Sequence, residues 1–151
     1  MPNSKQSHWK TDSIQNRPNS KLFHFGTTPK FLIFSQYILY PYSYDYFSRP
    51  DNYDELYALG DDMVSAIAAV YGKSYTMGQG KDVLYPAAGG SDDWAYDKMK
   101  AMGNDAPLSY TYELRDQGRY GFVLPANQIK PNCEEIDPSM KVLLDYVIEN
   151  K

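Results

Sequence analysis

Three acids and one tyrosine stand where side-chain chemistry is possible. Glu113 lies in Ser109-Tyr-Thr-Tyr-Glu-Leu-Arg115, which alternates with a period of two. That alternation predicts a strand with Tyr110, Tyr112 and Leu114 on one side and Thr111, Glu113 and Arg115 on the other. Glu113 is then a lone acid on a mostly apolar strand, and burial tends to raise a carboxyl toward the range of a general base. The same spacing equally allows a strand-end ion pair with Arg115 or Arg119. Asp92 and Asp93 follow Gly89-Gly90-Ser91, a predicted helix start with Ser91 as its N-cap. Acids in a first turn offset the helix dipole, a role either one fills. Tyr85 stands beside a turn in a chain with 15 Tyr. His8 and His24 are the only histidines, and the single Cys133 cannot form an internal disulfide.

Several elements are expected to position these groups. Tyr37-Ile-Leu-Tyr40 reads as a buried strand ending at Pro41, because proline has no N–H for a ladder. Asn52 and Glu55 have capping-box spacing. Leu56, Leu59, Met63, Ile67 and Val70 then form one helical stripe, and Gly72 is a C-cap. Residues 74–85 read as extended, with a turn at Gly78 and Gly80, and residues 101–107 as a loop. Asp137-Pro138 opens a final helix, with Pro at its first position and Val142, Leu144, Tyr146, Val147 and Ile148 as its apolar surface. Alternating strands and helices predict an α/β layer structure.

Composition narrows the function classes. The net charge is −4, which disfavours nucleic acid as a partner, since phosphate tracking needs clustered positive charge. No apolar run approaches the roughly 18–20 residues that span a bilayer, so no membrane partner is expected. Residues 1–36 carry five Lys or Arg against Asp12 alone, and the remainder holds the negative balance. Residues 1–21 are polar and aperiodic and read as disordered.

Three stretches, in order, carry a resemblance: Ser35-Gln-Tyr-Ile-Leu-Tyr-Pro-Tyr42, Leu84-Tyr-Pro-Ala-Ala-Gly-Gly-Ser-Asp-Asp-Trp94, and Thr111-Tyr-Glu-Leu-Arg-Asp-Gln-Gly-Arg-Tyr-Gly-Phe122, the last followed by Leu124-Pro125. From residue 35 to 151 the chain resembles the C-terminal part of the zinc metallocarboxypeptidases of the carboxypeptidase A/B type, and most resembles the B-like branch. The resemblance implies a mixed-sheet α/β fold and hydrolysis of a substrate's last peptide bond. It makes Glu113 the general base and Tyr85 the mobile tyrosine that closes over the terminal carboxylate. Asp92 becomes the floor of the pocket for a C-terminal Lys or Arg, with Ser43 and Gly80 leaving room for the long side chain. Leu39, Thr111 and Phe122 line the same pocket. The implied partners are peptide or protein C-termini.

The chain also departs from that family. The family holds zinc with a His-x-x-Glu pair far upstream and a His four residues before the Gln of the Ser-Gln stretch. Here that position is Leu32, and neither histidine is followed three residues later by Glu. The family's upstream arginines are missing as well. Zinc therefore belongs to the intact family and is not expected on this chain; a site improvised from His8, His24 and Glu113 lacks rigid support. Phe31-Leu-Ile-Phe-Ser-Gln36 can be encoded by a pyrimidine-rich run ending in CAG, as at an intron's 3′ end. These features together predict two parts: residues 1–34, unrelated and disordered, and residues 35–151, a partial catalytic domain. The expected state is an inactive fragment, with poor solubility unless associated. The alternative is a catalytically dead module that binds basic C-termini, and a separately made N-terminal half is a candidate partner. Family members are usually extracellular, but nothing in this chain directs export.

Overall fold

The structure, a computed structural model, describes residues 30–33 and 35–150, with side chains from residue 35 onward. His8, His24 and the polar segment 1–21 lie outside the described residues. Four strands form one mixed sheet: β1 (Lys30–Ile33), β2 (Tyr37–Tyr40), β3 (Thr76–Gln79) and β4 (Thr111–Leu114), in the order β1-β4-β2-β3. β1 runs parallel to β4, β4 antiparallel to β2, and β2 parallel to β3. The Phe31-Leu-Ile segment of β1, inside the part set apart by the sequence reading, thus pairs along β4. Helices α1 (Tyr53–Tyr71), α3 (Ser91–Ala101) and α4 (Ile129–Asn150), with the helical turn α2 (Gly80–Val83), complete the α/β architecture.

The core lies between one face of the sheet and the α1–α4 pair. Ile38, Tyr40, Tyr110 and Tyr112 are essentially inaccessible there, as are Leu56, Met63 and Ile67 of the α1 stripe. Large aromatics in such a place need partners for their hydroxyls. Tyr110 Oη donates to the Leu56 carbonyl at 2.9 Å, and Tyr112 Oη lies 2.9 Å from Ser139 Oγ on α4. Tyr146 Oη of α4 donates to Glu55 Oε1 of α1 at 2.7 Å. The sheet is therefore bonded to both helices as well as packed against them.

Several local expectations are corrected. Asn52 precedes α1, but its side chain caps no α1 amide. Asn52 Nδ2 instead donates to Glu55 Oε2 at 2.8 Å and to the Pro107 carbonyl at 3.0 Å, while Oδ1 accepts from Tyr96 Oη at 2.7 Å. Tertiary partners outcompete the capping box. Gly72 does close α1, in the left-handed region at φ +66°, with its N–H bonded to the Ala68 carbonyl. The segment 74–85 is not extended throughout, because Gly80 begins α2. Gly90, not Ser91, is the N-cap of α3. The final helix begins at Ile129, with Pro138 inside it. Its buried positions are Asn132, Glu135, Ile136, Ser139 and Leu143, so polar, hydrogen-bonded residues share the inward stripe with apolar ones. Within it Leu143 is buried, whereas Leu144 is 41% exposed.

Candidate active site

β4 presents two unlike faces. Tyr110 and Tyr112 turn toward α1 and α4, so Thr111 and Glu113 occupy the opposite face. Directly opposed residues of an antiparallel pair share a face. Leu39 therefore stands beside Thr111, and Tyr37 beside the half-buried Glu113. Thr111 and Leu39 are buried, at 5% and 6% exposure.

The chain leaving β2 forms a loop over this end of the sheet. Gln79 Nε2 donates to the carbonyls of Pro41 at 3.0 Å and Ser48 at 3.3 Å. Lys81 Nζ, on a buried side chain, donates to the carbonyls of Tyr46 and Ser48. Ser43 is held at both ends. Its N–H donates to Asp93 Oδ1 at 3.1 Å and Oδ2 at 3.0 Å, and its carbonyl accepts from the Ala87 N–H at 2.7 Å. The Ser43 side chain lies against Gly80 so closely that a Cβ at residue 80 would come within 2.2 Å of Ser43 Oγ. Glycine is needed there for close approach, as the sequence reading assumed for a different reason, room for a ligand.

Asp92 and Asp93 are both buried in the first turn of α3. Ser109 Oγ donates to the Asp92 carbonyl at 2.9 Å, which ties the start of α3 to the residues entering β4. A Cβ at Gly90 would meet Asp92 Oδ1 at 2.7 Å, so Gly90 leaves space for that carboxylate. Burial is the main cause that pushes the Asp93 carboxyl up to about 6. The N–H groups of Ser43 and Tyr44 pull it back down, and the Asp92 and Asp97 charges raise it further. Leu39 is paired with Thr111, Ser43 meets Gly80, and Asp92 is tied through Ser109 to the residues entering β4. Glu113 lies two residues farther along the same face of β4. Tyr85 and Phe122 stand apart at the surface, 68% and 77% exposed.

Arg115 departs from the alternation. β4 ends at Leu114, and the Arg115 side chain turns to α4. Its Nε donates to Glu135 Oε1 at 2.7 Å, Nη2 to Oε2, and Nη1 to Gln128 Oε1 at 2.9 Å. Arg115 is therefore the partner of Glu135, not of Glu113. The Arg119 guanidinium lies 5.2 Å from the Tyr120 ring centroid. The sequence reading missed Asp93, Lys81 and Gln79 as organisers of the 41–48 loop. Only the Asp92-Asp93 pair signalled any of this, and local sequence offers no sign of which acid reaches Ser43.

The described residues do not fit a zinc ion. Among them no group of three or more His, Cys, Asp or Glu side chains is placed to hold a metal ion, and Leu32, where the family carries a histidine, has no donor atom. Zinc of the usual protein geometry needs at least three such ligands.

Comparison with known proteins gives the family. The family model described as zinc carboxypeptidase matches residues 6–138. Carboxypeptidase B of Bos taurus is 50% identical over 117 residues, covering 78% of this chain and 26% of that protein. Carboxypeptidase B of Canis lupus familiaris is 43% identical over 145 residues, 96% of this chain and 33% of that one. The structure of bovine thrombin-activatable fibrinolysis inhibitor, in complex with tick carboxypeptidase inhibitor, superposes with a TM-score of 0.71 at 38% identity, covering 80% of this chain and 39% of that one. The chain spans about a quarter to a third of the length of these curated relatives. Its sequence, its mixed sheet and the order of its elements agree: the protein belongs to the zinc carboxypeptidase family.

Proposed function

We propose that this chain carries the substrate-recognising side of a metallocarboxypeptidase site, selective for peptides and proteins ending in Lys or Arg. Asp92 would pair with the basic side chain, and Leu39, Ser43, Gly80 and Thr111 would bound its path. Tyr85 would close over the terminal carboxylate, its exposure leaving the ring free to move, and Phe122 would flank the entrance. Glu113 would act as general base, taking a proton from the attacking water and returning it to the leaving amine. What supports this reading is the pairing of Leu39 with Thr111 and the contact of Ser43 with Gly80, with Glu113 on the same face of β4 as Thr111. The matches to proteins named carboxypeptidase B support the B-like branch, for which the resemblance implies the basic preference.

Because the described residues offer no zinc ligand set, the chain by itself is proposed to bind without hydrolysing. Peptides ending in Lys, Arg or Phe would be titrated into the full chain by calorimetry, alongside zinc content and release of the last residue. The reading expects binding of the Lys and Arg peptides, loss of binding in Asp92→Ala, and no turnover. Equal binding of the Phe peptide would remove the basic preference. Stoichiometric zinc with turnover would make the chain a working enzyme and overturn the second part.

The second reading, a module that holds basic C-termini as its own function, draws on the same pocket residues. An N-terminal half supplied as a separate chain separates the two. Zinc uptake and turnover on mixing favour the enzyme, and binding unchanged by mixing favours the module.

A further inference from the structure

The geometry points to Asp93 as a positioning residue that sets the shape of the basic-residue pocket, by fixing Ser43 against Gly80 through the Ser43 amide. The inference rests on the pocket reading given above and adds the residue that builds its wall. Asp93 is 6% exposed, and both its carboxylate oxygens accept from Ser43 N–H, fifty residues away in sequence. An acid serving only the α3 dipole has no need of so distant a partner. The other main-chain attachments of the loop use carbonyls: Ser43 O to Ala87 N–H, Pro41 O and Ser48 O to Gln79, Tyr46 O and Ser48 O to Lys81. Asp93 is the carboxylate that grips the loop at Ser43. That is the residue whose Oγ meets Gly80.

The grip depends on charge. An ionised acceptor forms about twice as strong a bond to N–H as a neutral one. Asp93 gains its proton at about 6, so the loop is held firmly above that pH and more loosely below it. On α3, Asp92 and Asp97 repel the Asp93 charge, and Asp97 is engaged by Tyr42 Oη at 2.7 Å. On α2, the Lys81 ammonium is held by loop carbonyls. Within the loop, Asp45 is bonded to the Phe47 and Ser48 amides. Asp93 therefore titrates among acids, with its stabilisation coming from main-chain N–H groups.

The test is an NMR titration of the Ser43 amide in the full chain, run beside calorimetry with a Lys-terminated peptide. The Ser43 amide resonance is expected to shift with an inflection near pH 6. The inflection disappears in Asp93→Asn and persists at a lower pH in Asp92→Asn. Peptide affinity is expected to fall several-fold below the inflection in the wild type and to stay flat in Asp93→Asn. A Ser43 amide without that inflection in the wild type, or one that keeps it in Asp93→Asn, overturns the inference; the wild-type and Asp92→Asn data decide it even if Asp93→Asn does not fold. An inflection with no peptide binding at any pH removes the pocket reading and leaves Asp93 as the anchor of Ser43.

Discussion

Arg115 and Glu135 form a buried two-pronged ion pair that fastens the end of β4 to α4. Glu135 is fully buried, and it also accepts from Tyr75 Oη at 3.2 Å. The carboxylate bond holds the Arg115 guanidinium above its ordinary range. Arg115 lies two residues beyond Glu113, so this anchor limits how far the end of β4 can stray. Removing one partner leaves the other buried and uncompensated, which costs about 3–5 kcal/mol. Arg115→Met and Glu135→Met are each expected to lose that much in urea denaturation. The double variant should recover a large part, since matched apolar replacement of a buried pair is often neutral. Single variants that denature like the wild type would show the pair to be energetically idle.

Gly80 and Ser43 supply the second prediction. An added methyl at residue 80 meets Ser43 Oγ at 2.2 Å and Ser43 Cβ at 3.1 Å. The hydroxyl can rotate, but Cβ cannot leave without moving the main chain that Asp93 holds. Gly80→Ala is expected to cost about 1–3 kcal/mol, as overpacking does, and to weaken binding of a Lys-terminated peptide. Ser43→Gly in the same chain removes both colliding atoms and should restore most of the stability. Thermal melts of the two single variants and the double variant read this directly. Additive losses would mean the contact is not the cause.

The apolar framework was plain in the sequence wherever one residue type recurs at one period. Leu56, Leu59, Met63 and Ile67 of the expected α1 stripe are buried, with Val70 only half-buried, and Tyr110 and Tyr112 alternate as expected. What stayed hidden depends on polar partners brought from far away. The start of α4 is invisible to hydrophobic periodicity because Asn132, Glu135 and Ser139 face inward on hydrogen bonds to Arg115 and Tyr112. Asn52 has the spacing of a capping box, yet Tyr96 and Pro107 claim its side chain. Arg115 leaves the strand alternation because β4 stops at Leu114. At the site, the roles given to Glu113, Asp92 and Tyr85 come from resemblance; Asp93 could be found only once α3 was folded beside Ser43.

Gly72 isolates a backbone effect. It adopts φ +66°, and a Cβ there would meet nothing within 4 Å. Gly72→Ala therefore adds no clash, only the strain of an L residue in the left-handed region, roughly 1–2 kcal/mol. A lower melting temperature with unchanged peptide binding is the expected result. Full stability in Gly72→Ala would indicate that the end of α1 rearranges to another cap.

The last prediction concerns stability against pH. Asp93 is raised from its ordinary 3.8 to about 6 in the folded chain. A raised group favours folding most where it is protonated in both states. Its contribution is therefore full below about pH 4 and is lost as pH rises through about 6. The difference between those values corresponds to at most about 3 kcal/mol. Asp93→Asn removes the titration, so its stability relative to the wild type should improve by up to that amount between about pH 4 and pH 7. Urea midpoints across this window measure the relative change, and a constant offset between the two proteins, or a trend of opposite sign, would count against the burial of the charge. The direction is informative about function. Above pH 6 the fold keeps an ionised carboxylate that burial makes costly, and what that charge secures is the Ser43 amide. A stability deficit concentrated at a loop anchor is the pattern expected where a site's shape is maintained against the fold's own preference.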